Sequence, residues 1–181
     1  MFLFWPDLKD DLEKLLDRQA HGQTGYFYGY RISPINGQKQ YHNGQDIPKP
    51  MGTPVRLPWD GYVMSARFDP KTADGGHGGG NSIIVRHPSK DVVMHSTGFC
   101  HLLSFSPDVL LNASANSDRV KDWIILPAGT VLGKVDTTGD ATGPHLHWTC
   151  RRIISRVLQT VDPLPFLLEA VGIDIPWHKA G

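Results

Sequence analysis

Between about residues 26 and 161, short apolar runs alternate with clusters of Gly, Pro, Asn and Asp, and this punctuation limits the fold more than any other feature. Tyr62-Val63-Met64, Ile83-Ile84-Val85, Val92-Val93-Met94 and Val131-Leu132 are too short for helices and suit strands between turns. Helical spacing is confined to the two ends of the chain. From Asp7 to Ala20, Leu8, Leu12, Leu15 and Leu16 fall on one side, starting just after Pro6. Asp162-Pro163 supplies a cap and a first-turn proline for a short helix through Ala170, ended near Gly172. The expected fold class is mainly β, a β-rich α+β domain with an antiparallel sheet core, an N-terminal helix and a short C-terminal helix. No internal repeat or linker interrupts it.

Within that pattern, two histidine-bearing clusters stand out. In an extended strand, side chains alternate faces, so His145 and His147 point the same way while Leu146 turns into apolar packing. His42 and Asp46 lie four apart, but Gly44 and Ile47-Pro48-Lys49-Pro50 argue against a helix and favour a strand ending in a turn. Zinc accepts imidazole nitrogen and carboxylate oxygen, and a catalytic site keeps its fourth position for water. Two histidines and one aspartate would satisfy that arrangement. A third histidine, His101, lies between the clusters.

These residues sit in an ordered series of blocks. It starts at Arg31-Ile32-Ser33-Pro34 and His42-x-x-x-Asp46, and passes through Gly52-Thr53-Pro54-Val55 and Asp60-Gly61-Tyr62-Val63. The glycine-rich stretch Gly75 to Asn81 precedes Ile83-Ile84-Val85-Arg86-His87, then come His101-Leu102 and Pro127 to Val135. The last blocks are Thr138 to His147 and Val161-Asp162-Pro163. The series resembles the lysostaphin-like (LytM-type) zinc metalloendopeptidases, enzymes that cut peptides of bacterial peptidoglycan, and covers about residues 26 to 166.

The resemblance implies one zinc ion held by His42, Asp46 and His147, with His101 and His145 as unligated catalytic histidines. It also implies a groove crossed by several strands, with Gly75 to Gly80 and an inserted loop at residues 104 to 122 as walls. On this reading residues 1–25 are a helical extension packed on a catalytic domain of residues 26–181. Where relatives often carry tyrosine two positions before the middle histidine, this chain has Phe99, which removes a hydroxyl from that place.

The remaining titratable groups narrow the chemistry. Glu13 and Glu169 are the only glutamates, both lie in helical segments near the ends, and no His-Glu-x-x-His is present. Histidine is therefore the expected proton carrier, with an imidazole near neutral pKa suited to the task. Asp136 and Asp140 read as loop aspartates. His87 and His95 read as packed strand-end residues, His77 as a loop residue, and His21 and His178 as incidental. If the stretches holding Cys100 and Cys150 are strands, alternation turns both cysteines away from the site, to pack as free thiols or to meet as a disulfide. Tyr41, Trp59, Phe99 and Trp148 adjoin motif residues and are expected mostly in the core.

At 181 residues the chain suits one domain, and 18 Lys and Arg balance 18 Asp and Glu, so no basic footprint invites nucleic acid. No apolar run approaches the roughly 20 residues that span a bilayer. The start Met1-Phe2-Leu3-Phe4-Trp5 is too short and lacks the basic opening of a signal peptide. The resemblance then points to a monomeric enzyme acting on the peptides of the bacterial cell wall. It would reach the wall by holin-type release, by virion delivery or behind a leader missing from this sequence, as a phage endolysin or virion lysin would. The competing expectation is a non-enzymatic envelope or tail domain of the same fold that activates or scaffolds another wall hydrolase.

Overall fold

A computed structural model describes residues 7–69, 78–88, 95–110 and 124–173. Helix α1 (Leu8–Ala20) and a 3-10 turn (Thr24–Tyr26) lead into a hairpin of β1 (Gly29–Ile32) and β2 (Lys39–His42). Then follow β3 (Gln45–Pro48), β4 (Pro54–Arg56), β5 (Tyr62–Arg67), β6 (Ser82–Arg86), β7 (Ser96–Cys100) and β8 (Leu102–Phe105). The chain continues through β9 (Val131–Val135), β10 (His145–Ile154), β11 (Val157–Val161) and helix α2 (Leu164–Ala170).

The main sheet runs β11-β10-β7-β6-β5, with β3 also paired to β10, and every pairing is antiparallel. Strand β4, β9 and β8 form a second, three-stranded antiparallel sheet. The mainly β class with a helix near each end is what the punctuation of the sequence predicts. Strand β10 is the axis of the molecule. Its first residues pair with β3 and its last with β11, while β7 runs along the other side.

Alternation along these strands divides the sheet into two unlike faces. Leu146, Trp148 and Cys150 of β10, Phe99 of β7, and Ile83 and Val85 of β6 turn to one face and are buried. Leu8, Leu12 and Leu15 of α1 and Leu164, Leu167 and Leu168 of α2 join the same core. Removing one such leucine costs about 2–5 kcal/mol. The opposite face carries His145, His147, Thr149 and Arg151 of β10, Gly98 and Cys100 of β7, and Ser82 and Ile84 of β6. That face is the floor of an open groove of about 840 Å³.

Helix α1 lies against β3 and α2. Lys49, just after β3, is buried and held by Asp7 at 2.8 Å and by Asp11, so α1 closes over the strand that carries Asp46. At the far end, Leu164 N donates to Asp162 Oδ1 at 2.9 Å and Gly172 turns left-handed with φ 74°, bounding α2 as its sequence signals indicate.

Two expectations need correction. Residues 104–110 are not an inserted loop at the cleft rim: Ser104 and Phe105 complete β8 against β9, residues 107–110 are helical, and Val109 is fully buried. None of them lines the groove, because Leu102-Leu103-Ser104-Phe105 pairs with β9 across a bulge and extends the second sheet instead. The rest of that segment, the Val92–Met94 run, His77 and His178 lie outside the described residues.

The second correction concerns the cysteines. Cys150 turns to the core as expected, but Cys100 is the register partner of His147 and faces the groove. Both are free. Alternation misplaces Cys100 because His101 is left-handed, with φ 59°, so the parity of β7 does not carry through position 101.

Candidate metal centre

Three chain segments meet at one end of the groove. His42 is the last residue of β2, and the Asn43-Gly44 turn then carries the chain from the hairpin into the main sheet, where Asp46 sits second in β3. Within four residues the backbone has changed sheets, so His42 and Asp46 converge without a helix. Asp46 is the direct register partner of His147 in β10. Directly opposed side chains stand about 4.5–5.5 Å apart at Cβ, which brings carboxylate and imidazole together. Gly44 is required by this crowding, since a Cβ there would lie 2.7 Å from His147 Nε2 and from the Trp148 carbonyl.

His42 Nε2 lies 3.1 Å from Asp46 Oδ1 and 3.0 Å from His147 Nδ1, and His147 Nδ1 lies 2.8 Å from Asp46 Oδ1. All three side chains are buried. The protons can be traced by what each outer nitrogen faces. His42 Nδ1 is 2.7 Å from the Phe27 carbonyl, which can only accept, so that nitrogen carries the hydrogen and Nε2 of the neutral ring presents a lone pair. His147 Nε2 lies 3.2 Å from Asn43 Oδ1, which directs its hydrogen outward and leaves Nδ1 facing inward.

Two lone pairs and a carboxylate oxygen thus point at one another, an arrangement that repels until a cation enters. Four ligands at roughly 2.0–2.1 Å in a tetrahedron are about 3.3 Å apart, so the triad need open only slightly. His42, Asp46 and His147 are also the residues whose ligating atoms lie within 4.8 Å of one another, the one such group among the described residues.

Burial opposes ionisation of Asp46, but His145, His147 and His42 outweigh it whenever one of these rings turns a proton toward the carboxylate, and they hold the carboxyl well below the usual carboxylate range. Its second oxygen is occupied as well, with Arg31 Nη1 donating to Oδ2 at 2.8 Å. Burial pulls the pKa of His147 down, which keeps the ring in its ligating, neutral form.

Two further imidazoles stand beside the triad. His145 Nε2 is 3.5 Å from Asp46 Oδ1, and His145 Nδ1 donates to the Gly143 carbonyl at 2.8 Å. Burial disfavours its cation, yet Asp46 prevails and its pKa is raised. The His101 ring lies 4.6 Å from that of His145 and 5.8 Å from that of His147, centroid to centroid. Burial, reinforced by the charge of His145, lowers the pKa of His101 to about 4, so this ring is neutral.

No strand holds His101 in place. Its amide donates to the Gly79 carbonyl at 2.9 Å, its carbonyl accepts from Asp136 N at 2.8 Å, and its Nδ1 donates to the Thr138 carbonyl at 2.7 Å. Gly80 and Gly139, both left-handed, let the two supporting loops touch. A Cβ on Gly139 would come within 2.3 Å of Gly80 N, and one on Gly80 within 2.3 Å of the Thr138 carbonyl carbon.

The structure therefore gathers His42, Asp46, His147, His145 and His101 at one end of the groove. Gly78, Gly79 and Asp140 line its wall. Asp136, bridged to His145 through the backbone, and the packed His87 stand apart: His87 is buried with Nδ1 on the Asp60 carbonyl and Nε2 on Thr97 Oγ1. Sequence reasoning missed the role of Arg31 and of the Phe27, Thr138 and Gly143 carbonyls. Carbonyls carry no residue signature, and Arg31, although it opens the first of the ordered blocks, gives no sign in sequence of its pairing with Asp46.

Residues 40–163 match peptidase family M23. The protein named DD-carboxypeptidase/endopeptidase Mpg of Neisseria meningitidis is 35% identical over 124 residues, 68% of this chain and 23% of that protein. Glycyl-glycine endopeptidase ALE-1 of Staphylococcus capitis is 34% identical over 151 residues, 82% of this chain and 34% of its own length. This chain thus spans about a quarter to a third of the length of these curated relatives. Among solved structures, the catalytic domain of lysostaphin from Staphylococcus simulans aligns with a TM-score of 0.55 at 30% identity, covering 79% of this chain and 90% of that one. A zinc-containing peptidase from Vibrio cholerae aligns at 0.52 with 26% identity, covering 78% and 35%. The matched span holds the buried triad and both flanking histidines, and the chain belongs to peptidase family M23.

Proposed function

We propose that this chain is a zinc-dependent endopeptidase that hydrolyses an amide bond in the peptide part of bacterial peptidoglycan. The observation that carries this reading is the convergence of His42 Nε2, Asp46 Oδ1 and His147 Nδ1 in an open groove of about 840 Å³. The named activities of the matched peptidases, among them a DD-carboxypeptidase/endopeptidase and a glycyl-glycine endopeptidase, support the peptide substrate.

His42, Asp46 and His147 would hold the ion, which when bound supplies Lewis acidity that polarises a carbonyl and brings the pKa of water to roughly 7. The protein contributes the proton traffic. His101 keeps its hydrogen on Nδ1, against Thr138, so its Nε2 is free to accept a proton from the attacking water. His145 lies beside the anionic Asp46 and holds a proton more readily, which suits it to stabilise the oxyanion or to protonate the leaving amine. Two rings of one chemical type are shifted in opposite directions by their surroundings, which supports His101 as the proton acceptor and His145 as the donor. The core face of the sheet keeps the donors rigid while the open face admits backbone.

Purified peptidoglycan incubated with the zinc-loaded protein is expected to release peptide fragments whose masses identify the bond cut. Excess chelator should stop the release and added zinc should restore it. Undiminished release in excess chelator would overturn the metal mechanism, and no release by zinc-loaded protein would overturn the substrate.

A further inference from the structure

We propose that Arg31 is a positioning residue for the metal centre: it fixes the Asp46 carboxylate so that a single oxygen is offered to the ion. The inference rests on the zinc reading above, and concerns a residue upstream of the matched span of residues 40–163.

Arg31 reaches the site from β1. Its register partner is Gln40, both line the groove, and the hairpin they belong to is a separate two-stranded sheet. Nη1 donates to Asp46 Oδ2 at 2.8 Å and also to the Gly25 carbonyl, tying three segments together. The arginine and aspartate side chains are 11% and 9% exposed, so the pair lies out of the solvent that weakens surface ion pairs.

What matters is which carboxylate oxygen is taken. With Oδ2 occupied by Arg31, Oδ1 alone faces His42 Nε2 and His147 Nδ1. Without Arg31, the carboxylate could rotate about its last bond and offer both oxygens to the ion. Nη1 of the rigid guanidinium is held between the Gly25 carbonyl and Asp46 Oδ2, so its hydrogen is aimed at that oxygen with a fixity that a flexible ammonium lacks. Outer contacts of this kind orient ligands, and losing one costs roughly 10–100-fold in metal affinity.

The test is competition of the apo protein against a chromophoric chelator for zinc, with thermal unfolding of each apo variant measured alongside. Arg31→Ala should weaken zinc binding by roughly 10–100-fold. Hydrolysis of peptidoglycan at limiting zinc should fall in step and recover as zinc is raised. Arg31→Lys should lie between parent and Ala, because it restores charge without the rigid hold of Nη1 between the Gly25 carbonyl and Asp46 Oδ2. If Arg31→Ala unfolds, the comparison of Arg31→Lys with the parent decides.

A lowered unfolding temperature with unchanged zinc affinity would make Arg31 merely structural and overturn the proposal. So would Lys and Ala variants of equal affinity. A parent chain that binds no zinc would instead sink the functional reading itself, and the two failures are therefore separable.

Discussion

The two sides of the site are built by different means. His42, Asp46, His145 and His147 stand on β2, β3 and β10, where strand pairing places Asp46 opposite His147. His101 stands on a left-handed residue between β7 and β8, held by the Gly79 and Thr138 carbonyls and the Asp136 amide. The strand side is fixed by side-chain alternation and register. The loop side is fixed by backbone groups and by two glycines that let the loops touch. Under the proposed function the metal cradle comes from the strand side and the proton acceptor from the loop side.

The largest expected effect separates the sides by what each loses. His147→Ala should abolish both zinc binding and hydrolysis, whereas His101→Ala should keep its zinc and lose roughly 10²–10⁴-fold in kcat. Elemental analysis beside fragment release reads both quantities. A His101 variant that loses its zinc would erase the distinction between the sides.

Gly139→Ala should sharpen it. A Cβ at φ 76° would strike Gly80 N and move the Thr138 carbonyl that orients His101. Displacement of about 1 Å can cost about 100-fold, so kcat should fall toward the His101→Ala level with zinc content unchanged. Unaltered kcat would show that the glycine contact does not set the histidine.

The smallest effect concerns His87, a histidine that serves packing alone. Burial lowers its pKa below the ordinary 6.5, so the folded state takes up fewer protons than the unfolded state below that value. Stability present above pH 6.5 is therefore lost as the pH falls below it. His87→Gln should flatten that slope in denaturant titrations between about pH 7 and 5 while leaving zinc binding intact. An unchanged slope would assign the acid sensitivity elsewhere.

The strand side was legible in the sequence because its information lies in side-chain identity and period. His145-Leu146-His147 announces a face, and Gly44 with Pro48 rules out the helix that would otherwise join His42 to Asp46. The loop side was not. His101 was singled out through a resemblance, and nothing in its neighbours signals a positive φ. The same hidden turn reversed the predicted side of Cys100, whose thiol faces the groove and is pushed up to about 12 by burial. Ser104 and Phe105 read as loop because β8 is short and bulged and shows no period of two. Arg31 was visible as a letter, but its partner Asp46 lies in another sheet, and only three-dimensional pairing joins them.

Strand β10 presents His145 and His147 on one side and Leu146, Trp148 and Cys150 on the other, so its residues are committed in both directions at once. Inserting or deleting one position within it would exchange the two sides, sending indole to water and imidazole to the hydrocarbon interior. Length variation among descendants of this chain should therefore collect in connecting segments, and β10 should behave as a ruler whose unit count cannot drift.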